Sequence, residues 1–233
     1  MVTYGEWRLG AGKGTRNLLC ITLGTGVGGC IIANGKLYLG GRSWAGEIGH
    51  TIVDPDGPPC KCGGRGCLEA LVGAEAMKRR TICMIQKSMG SREFRESGSQ
   101  NFKDSTDSLD SKDSKDTIIL KSVKGDLEKI TPEVVSRSAQ KGDPIAQEIL
   151  KQAGEEIGIA LTNAMALLDP EKVVIGGGIS KAGKVLFDPI RKTIQERLYT
   201  MKSGKVAILP SKLGDMAGVI GSAIYAYEKF TGS

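Results

Sequence analysis

Hydrophobic and polar positions divide this chain into short apolar runs and longer segments with helical spacing. The apolar runs come first and close together, and Asn34 and Gly35 separate two of them with residues that tolerate positive φ, as a hairpin turn requires. Helical segments follow and alternate with two further short runs. The pattern predicts strands over 17–23, 27–33, 36–39, 172–175 and 205–210, and helices over 68–86, 132–140, 144–168, 184–199 and 217–230. Hairpin strands followed by alternating helices and strands predict a mixed α/β domain.

Residues 88–117 break this pattern. They hold eight serines and twelve charged residues but only four large apolar side chains. So little apolar surface cannot offset the conformational entropy that is lost on ordering, and we expect a flexible surface insertion. The insertion divides the chain into a first part, residues 1–87, a second part, residues 118–215, and a final helical segment, residues 216–233.

Composition and charge exclude several classes of protein. A chain of 233 residues is long enough for one large domain or two small ones. It has no apolar run of membrane-spanning length, and its N-terminus lacks the basic and apolar regions of a signal peptide, so we expect a soluble, cytoplasmic protein with no membrane partner. The net charge of +6 comes from basic residues spread along the chain, without the interleaved aromatic residues of a nucleic-acid surface. We therefore expect no nucleic-acid partner, and an anionic small molecule suits this mild charge equally well.

Four potential metal ligands lie close together in the sequence. His50 is the only histidine of the chain, and Cys60, Cys62 and Cys67 follow it, the last two separated by a glycine-rich link. In a reducing compartment, cysteines at such short spacing are more often metal ligands than disulfide partners, and zinc takes four tetrahedral ligands of these types. The four residues therefore predict a structural zinc site, with a disulfide cluster or incidental thiols as the alternative. The other three cysteines stand alone in apolar surroundings, where we expect core residues.

Two glycine-rich segments follow apolar runs and are candidates for nucleotide binding. They read LGTGVGG at residues 23–29 and IGGGIS at residues 175–180. Glycine lets the backbone approach a phosphate group closely, and the Thr25 hydroxyl adds a donor; a tight turn that merely permits strand packing is the alternative. A third segment, GAGKGT at residues 10–15, is not a Walker phosphate loop, because the pattern requires glycine where Trp7 stands and no strand precedes it.

Three motifs together resemble the ROK family of sugar kinases, most closely its glucokinase branch. They are LGTGVGG, GEIGH at residues 46–50 and CKCGGRGCLEA at residues 60–70. The similarity continues through LLDPEKVVIGGGIS and AGVIGSA, and it covers nearly all of the chain outside the insertion. The resemblance implies an actin-like ATPase (ribonuclease H-like) fold of two lobes around a cleft, with structural zinc at the four ligands. It also implies transfer of the γ-phosphoryl group of ATP, with Mg²⁺, to a hydroxyl of glucose or a related hexose, in a protein that forms homo-oligomers.

The resemblance assigns roles to individual residues. Glu47 and Glu69 match carboxylates that accept hydrogen bonds from sugar hydroxyls, and His50 matches a residue that serves metal and sugar together. One imidazole nitrogen can bind zinc while the other donates to a hydroxyl oxygen, so the metal orients the sugar-binding wall without entering the reaction. The nucleotide residues that the resemblance implies are Gly24, Thr25 and Gly26 at the phosphates and Gly176, Gly177 and Gly178 beside adenosine.

The resemblance places the catalytic base outside these residues. ROK kinases begin with a DxGGT phosphate loop in a further N-terminal lobe, and their catalytic aspartate belongs to an Asn-Asp pair at the start of a helix. Residues 1–7 are similar to that helix just after the pair, so we expect the general-base aspartate upstream of Met1. We likewise expect the final helix, 217–230, to pack on the N-terminal lobe.

Two other functions stay open at this point. Some ROK proteins are sugar-responsive transcriptional repressors that carry a winged-helix domain at the N-terminus. A degenerate fragment could also serve only as a sugar-binding, assembly or regulatory partner. Residues encoded upstream would separate the first two: DxGGT and Asn-Asp favour the kinase, whereas a helix-turn-helix favours the repressor.

Overall fold

One mixed sheet organises the computed structural model, which describes residues 1–89, 117–198 and 206–231. Its strands are β1, Leu18–Leu23; β2, Val27–Ala33; β3, Lys36–Tyr38; β4, Lys172–Gly176; and β5, Ala207–Pro210. They lie in the order β3-β2-β1-β4-β5. The predicted hairpin strands and the two later strands are thereby confirmed. Most of the insertion predicted over 88–117 lies outside the described residues.

Helices cover both faces of this sheet. The described helices are α1, Val2–Arg8; α2, Leu68–Val72; α3, Ala74–Ser88; α4, Ile118–Ser122; α5, Pro132–Gln140; α6, Pro144–Leu168; α7, Lys184–Arg197; and α8, Ala217–Thr231. Short 3-10 turns occupy Ile48–His50, Leu127–Lys129, Gly178–Ala182 and Gly214–Met216. The helices predicted over 132–140 and 144–168 are confirmed with the same bounds. No helix in this described part of the chain is both long and apolar enough to cross a membrane.

The longest helix, α6, shows why these bounds could be predicted. The Asp143 side chain accepts a hydrogen bond from the Ala146 amide at 2.9 Å, and Pro144 occupies the first turn, where its missing N–H costs nothing. The helix ends at Leu168; the capping residue Asp169 has a left-handed φ of 43°, and Pro170 follows. Local residues therefore determine both ends.

The helix predicted over 68–86 is instead two helices, α2 and α3, which separate at Gly73. The Gly73 backbone is extended, with φ −63° and ψ 162°. The Ala74 amide donates to the Gly24 carbonyl at 3.0 Å rather than to a carbonyl of α2. One helical hydrogen bond is thus exchanged for a bond to a distant turn, which keeps the backbone groups paired while breaking the helix.

The central strand β1 separates two layers, because its side chains alternate between the faces of the sheet. Leu19, Ile21 and Leu23 join the large core that includes α2, α3, α5, α6 and α7. Leu18 and Cys20 join a smaller cluster with Tyr4 and Trp7 of α1 and Ile224 and Tyr225 of α8. A strand that is buried on both faces is typical of a sheet covered by helices on each side.

The sheet topology brings the two glycine-rich segments together. Strand β1 is antiparallel to β2 and parallel to β4, and β4 is parallel to β5. Thr22 pairs with Gly176, so the segments that follow β1 and β4 leave the sheet side by side. Ligands of α/β sheets bind preferentially at the carboxyl ends of such strands.

The cysteines outside the metal-ligand group do not all lie in the core. Cys20 is buried in β1, and burial raises the pKa of its thiol to about 12. Cys30 and Cys83 are only half-buried, contrary to the expectation of core positions. Cys30 lies where β2 is incompletely covered, and Cys83 lies beside the buried face of α3.

Candidate functional site

The four predicted metal ligands converge on one point. One ligand atom from each of His50, Cys60, Cys62 and Cys67 lies within 4.8 Å of the others. The Cys60 sulfur is 3.7 Å from His50 Nδ1, and the Cys62 and Cys67 sulfurs are 3.7 Å apart. Ligands placed roughly 2.3 Å from one ion at tetrahedral angles lie roughly 3.8 Å from one another. The residue types and the spacing therefore fit a tetrahedral zinc site.

Glycine conformations fold the chain around this cluster, and we call residues 50–67 the cysteine loop. The Cys60 amide donates to the Gly64 carbonyl at 2.8 Å, and the Val53 amide donates to the Gly66 carbonyl at 2.8 Å. Gly66 has a φ of +63°, and a Cβ there would lie 1.5 Å from the Asp54 carbonyl oxygen. No other residue can occupy this position without moving the loop.

The thiols of the cysteine loop differ in their acidity. A hydrogen bond with the Gly64 backbone, followed by those with the neighbouring thiols, lowers the pKa of Cys62. Burial, followed by hydrogen bonds from Cys62 and Cys60, raises the pKa of Cys67 to about 12. Within the cluster, Cys62 therefore ionises more readily than an ordinary cysteine and Cys67 less readily. A divalent cation would favour the ionised form of both, because coordinating thiols are deprotonated.

His50 and Glu47, two of the predicted sugar-binding residues, are exposed beside the cluster, and the third, Glu69, lies on the helix that follows it. His50 Nδ1 faces Cys60, so Nε2 faces away from it, 4.0 Å from a carboxylate oxygen of Glu47. The Glu47 side chain is 65% exposed. Glu69 is half-buried in the first turn of α2. The Leu68 amide donates to the Thr51 carbonyl at 3.0 Å, and this bond holds the start of α2 beside the His50 turn.

The predicted nucleotide residues also come together. Gly24, Thr25 and Gly26 form the tight turn between β1 and β2, closed by a 3.0 Å bond from the Gly24 amide to the Gly26 carbonyl. A Cβ on Gly24 would meet no atom within 4 Å, so this part of the 24–26 turn is open to a ligand. Gly177 has a φ of +89°, and a Cβ there would lie 2.2 Å from the Leu23 carbonyl oxygen. The 176–178 loop is therefore packed directly against Leu23, the last residue of β1, which precedes the 24–26 turn.

The sugar-side and nucleotide-side groups are connected through Glu69. Its Oε2 atom accepts a hydrogen bond from the Val27 amide at 3.0 Å. A Cβ on Gly26 would lie 2.3 Å from the same oxygen. The carboxylate that the family resemblance assigns to the sugar thus contacts the turn that the resemblance assigns to phosphate.

The sequence does not reveal the structural role of Glu6. This carboxylate is fully buried and accepts hydrogen bonds from the Ala11, Lys212 and Leu213 amides and from the Ser211 hydroxyl. Burial alone would raise the pKa of Glu6, but the bonds from Ser211 and the backbone outweigh it, and the pKa is lowered. Glu6 therefore joins α1 to the segment after β5 and is a poor proton acceptor. No local pattern could have shown these partners, since three of them lie at the other end of the chain.

Comparison with known proteins points to one family. The ROK family profile matches residues 1–229. The chain is 31% identical over 228 residues to a glucokinase of Thermotoga maritima, and this match covers 98% of the chain and 63% of the glucokinase. It is also 31% identical to the solved structure of a ROK family glucokinase from Streptomyces griseus in complex with glucose and AMPPNP, with a TM-score of 0.79, covering 96% of this chain and 64% of that chain. The chain thus spans less than two thirds of either protein, and the structural match agrees with the predicted actin-like α/β fold.

A regulator is similar to the chain as well. The DNA-binding transcriptional dual regulator NagC of Escherichia coli is 27% identical over 218 residues, covering 94% of this chain and 46% of that protein. Overall sequence similarity therefore does not distinguish a kinase from a regulator. The choice between these two functions has to rest on the residues of the site.

Proposed function

The chain belongs to the ROK family, and from this premise we propose that it supplies the sugar-binding and nucleotide-binding residues of an ATP-dependent kinase that converts glucose to glucose 6-phosphate. The observation that carries the proposal is the contact between Glu69, beside the four-ligand cluster, and the 24–26 turn. A kinase requires a sugar hydroxyl and a nucleotide phosphate to meet at such a place. The Streptomyces griseus glucokinase, whose structure contains glucose and AMPPNP, supports the choice of both ligands.

In this proposal, three side chains bind the sugar. Glu47 and Glu69 accept hydrogen bonds from its hydroxyl groups, because ionised carboxylates are pure acceptors. His50 Nε2 donates to a sugar oxygen while Nδ1 faces the cluster. Charged acceptors bind hydroxyl groups more strongly than neutral ones, which suits a ligand without charge.

We propose that the cysteine loop holds zinc through His50, Cys60, Cys62 and Cys67. Four protein ligands leave no open coordination position, so the ion supplies structural order rather than reactive chemistry. The loop then fixes the His50 ring and the start of α2. Both sugar-binding elements thereby keep their relative positions before the sugar arrives.

The nucleotide lies, in this proposal, along the carboxyl ends of β1 and β4. The Gly26 amide and the Thr25 hydroxyl contact the phosphates beside the open position at Gly24, and Gly176, Gly177 and Gly178 lie beside adenosine. Magnesium enters with ATP and neutralises the charge that develops during phosphoryl transfer. The proton acceptor for the sugar hydroxyl is not among the residues assigned here.

We also propose that residues 1–87 and 118–215 form one lobe, since β1 and β4 pair within one sheet. The face of α8 opposite α1 carries Val219, Tyr227 and Phe230, which are 65%, 67% and 91% exposed. In this proposal, that face packs against another part of the complete protein. The expectation that the partner is the N-terminal lobe stays a prediction.

Calorimetric titration with glucose and with Mg²⁺·AMPPNP tests the proposal through binding. Glu69→Gln and Glu47→Gln should each weaken glucose binding roughly 10- to 100-fold, because a hydrogen bond to a charged group contributes about 1.5–3 kcal/mol. Glu75→Gln is the matched control, since Glu75 is exposed on α3, beyond the break at Gly73. Failure of the wild-type chain to bind glucose would contradict the proposal, and so would equal effects of the three variants.

The alternative is a sugar-responsive regulator, which the similarity to NagC favours. A regulator needs to bind a sugar but has no need to bind ATP. Titration with Mg²⁺·AMPPNP in the presence of sugar therefore separates the two functions. Sugar binding without nucleotide binding would favour the regulator. N-acetylglucosamine should be titrated beside glucose, because an N-acetylglucosamine repressor of Escherichia coli is also similar to the chain.

A further inference from the structure

We propose that Glu69 couples sugar binding to the conformation of the 24–26 turn, so that glucose and nucleotide bind with positive cooperativity. This inference rests on the proposed function, because it takes the sugar side and the nucleotide side of the site as assigned there. The inference gives Glu69 a second role, which is to position the 24–26 turn, in addition to its proposed contact with the sugar.

The first observation is that the two oxygens of the Glu69 carboxylate differ in their hydrogen bonding. Oε2 accepts a hydrogen bond from the Val27 amide at 3.0 Å, which is the first amide after the turn. Within the described residues, this is the only hydrogen bond that the carboxylate makes. Oε1 therefore keeps its acceptor capacity for a sugar hydroxyl while Oε2 holds the turn.

The second observation is direct contact between the carboxylate and Gly26. A Cβ on Gly26 would lie 2.3 Å from Oε2 and 3.2 Å from the carboxylate carbon. The turn and the side chain therefore cannot move independently, because interiors transmit displacement through packed atoms. Gly24, two residues earlier, has no atom within 4 Å of a Cβ and provides the contrast within the same turn.

The third observation is that α2 is held at both ends. Its start is bound to the His50 turn through the Leu68 amide and the Thr51 carbonyl, 3.0 Å apart. Near its end, Arg80 donates to the Leu71 carbonyl at 3.0 Å, and just beyond it the Ala74 amide donates to the Gly24 carbonyl at 3.0 Å. The helix that carries Glu69 is thus a short rigid element between the two sides of the site.

These contacts give the coupling a physical cause. A sugar hydroxyl on Oε1 fixes the carboxylate, and the fixed carboxylate fixes the Val27 amide and the turn. The nucleotide then binds a turn that is already ordered, so its binding costs less conformational entropy. The two ligands therefore bind with positive cooperativity. The coupling is reciprocal, so nucleotide must raise the affinity for glucose by the same factor. Within the described residues, Glu47 is paired with His50 and makes no hydrogen bond to the 24–26 turn, so we expect it to bind sugar without this effect.

The decisive experiment measures AMPPNP affinity with and without saturating glucose by calorimetry. Wild type should bind AMPPNP more tightly by a factor of about 5 or more when glucose is present, which is the usual lower range of such couplings. Glu69→Gln should bring this factor close to one, because the side-chain amide carries an oxygen at only one of the two positions and its NH2 group cannot accept from either Val27 or the sugar. Glu47→Gln should weaken glucose binding while leaving the factor unchanged. The factor is read at saturation, so weakened sugar binding alone does not lower it.

A matched pair of glycine variants tests the coupling by changing the nucleotide-side turn and measuring the affinity for glucose. Gly26→Ala should weaken glucose binding in the absence of nucleotide, because the added methyl group displaces the Glu69 carboxylate. Gly41→Ala should leave that glucose affinity unchanged, since a Cβ on Gly41 would meet no atom within 4 Å and Gly41 belongs to none of the assigned binding segments. Thermal denaturation confirms that both variants fold, and if Gly26→Ala does not, the wild-type and Glu69→Gln titrations still decide the inference.

The outcomes separate this inference from the proposed function. Glucose binding that leaves AMPPNP affinity unchanged would overturn the coupling and leave the sugar site intact. Equal effects of Gly26→Ala and Gly41→Ala on glucose affinity would also overturn it. A wild-type chain that binds no glucose would instead contradict the proposed function, and the coupling with it.

Discussion

The cysteine loop and the pair of helices α1 and α8 are stabilised in opposite ways. In the loop, contacts join residues close in sequence, such as the Cys62 and Cys67 sulfurs. In the helix pair, they join the two ends of the chain: the Tyr4 hydroxyl and the Arg8 guanidinium both donate to Glu228. Closing a short loop costs less chain entropy than joining distant segments, which requires the whole sheet to be in place. The comparison teaches that a sequence motif can predict contacts within a short loop but cannot predict contacts between distant segments.

The largest effect is expected on removing a ligand from the cysteine loop. Purified protein should contain about one zinc ion per chain, since a closed four-ligand site holds one ion. Cys62→Ser should abolish that content and lower both thermal stability and glucose affinity, because the loop that holds His50 and α2 loses its anchor. Elemental analysis and thermal denaturation measure both effects. Cys83→Ser is the control, since Cys83 lies outside the cluster.

A cysteine loop that keeps its structure without zinc would contradict the view that metal ligands stabilise it. If Cys62→Ser and Cys83→Ser denature at the same temperature, the loop is held by its backbone bonds and not by a metal. A wild-type protein without zinc would contradict the proposed metal site outright.

The second effect tests whether backbone geometry determines the loop. Gly66→Ala should lower the free energy of unfolding by about 3 kcal/mol or more, because a positive φ and a severe contact combine there. Gly63→Ala is the matched control, since Gly63 also has a positive φ, of +93°, but a Cβ there would meet no atom within 4 Å. It should cost only about 1–2 kcal/mol. Urea denaturation measures the difference, and equal values would show that the contact with Asp54 relaxes freely.

The third effect tests the long-range region. Glu6→Gln should lower the free energy of unfolding by about 2–3 kcal/mol, because an amide group cannot accept all of the hydrogen bonds that the buried carboxylate accepts. Glu228→Gln should cost about 0–1 kcal/mol, as is usual for a surface ion pair. Zinc content should be unchanged in both variants. Loss of zinc from Glu6→Gln would show that the two regions are not independent.

The smallest effect is a pH dependence from Glu6. Its pKa in the folded protein lies below the ordinary 4.5, so the unfolded chain takes up the proton first as the pH falls. The stabilisation is therefore fully present above the ordinary value and is lost as the pH falls through the folded pKa. Wild type should lose more stability than Glu6→Gln between pH 6 and about pH 3. Denaturation curves for the two proteins would be parallel in pH if the Glu6 pKa were not lowered.

Several elements could be predicted because their signals are local. The ends of α6 follow from Asp143, Pro144 and Pro170, and the turn between β2 and β3 follows from Asn34 and Gly35. The metal ligands could be named because His50 and three cysteines occur at short spacing. The break between α2 and α3 could not be predicted, because the Ala74 amide bonds to Gly24, fifty residues earlier in the chain.

The amino-acid sequence by itself determined the strands, the long helices, the cysteine cluster and both glycine-rich segments, because periodicity, capping and ligand spacing act between near neighbours. Only the tertiary structure decided that the 176–178 loop packs against Leu23 at the end of β1, that Glu69 touches the 24–26 turn, and that Glu6 joins the two ends of the chain. These contacts depend on the parallel pairing of β1 with β4 and on the packing of α1 against α8. Such pairings join residues far apart in sequence, and they form only when burial in a common core offsets the entropy of bringing them together.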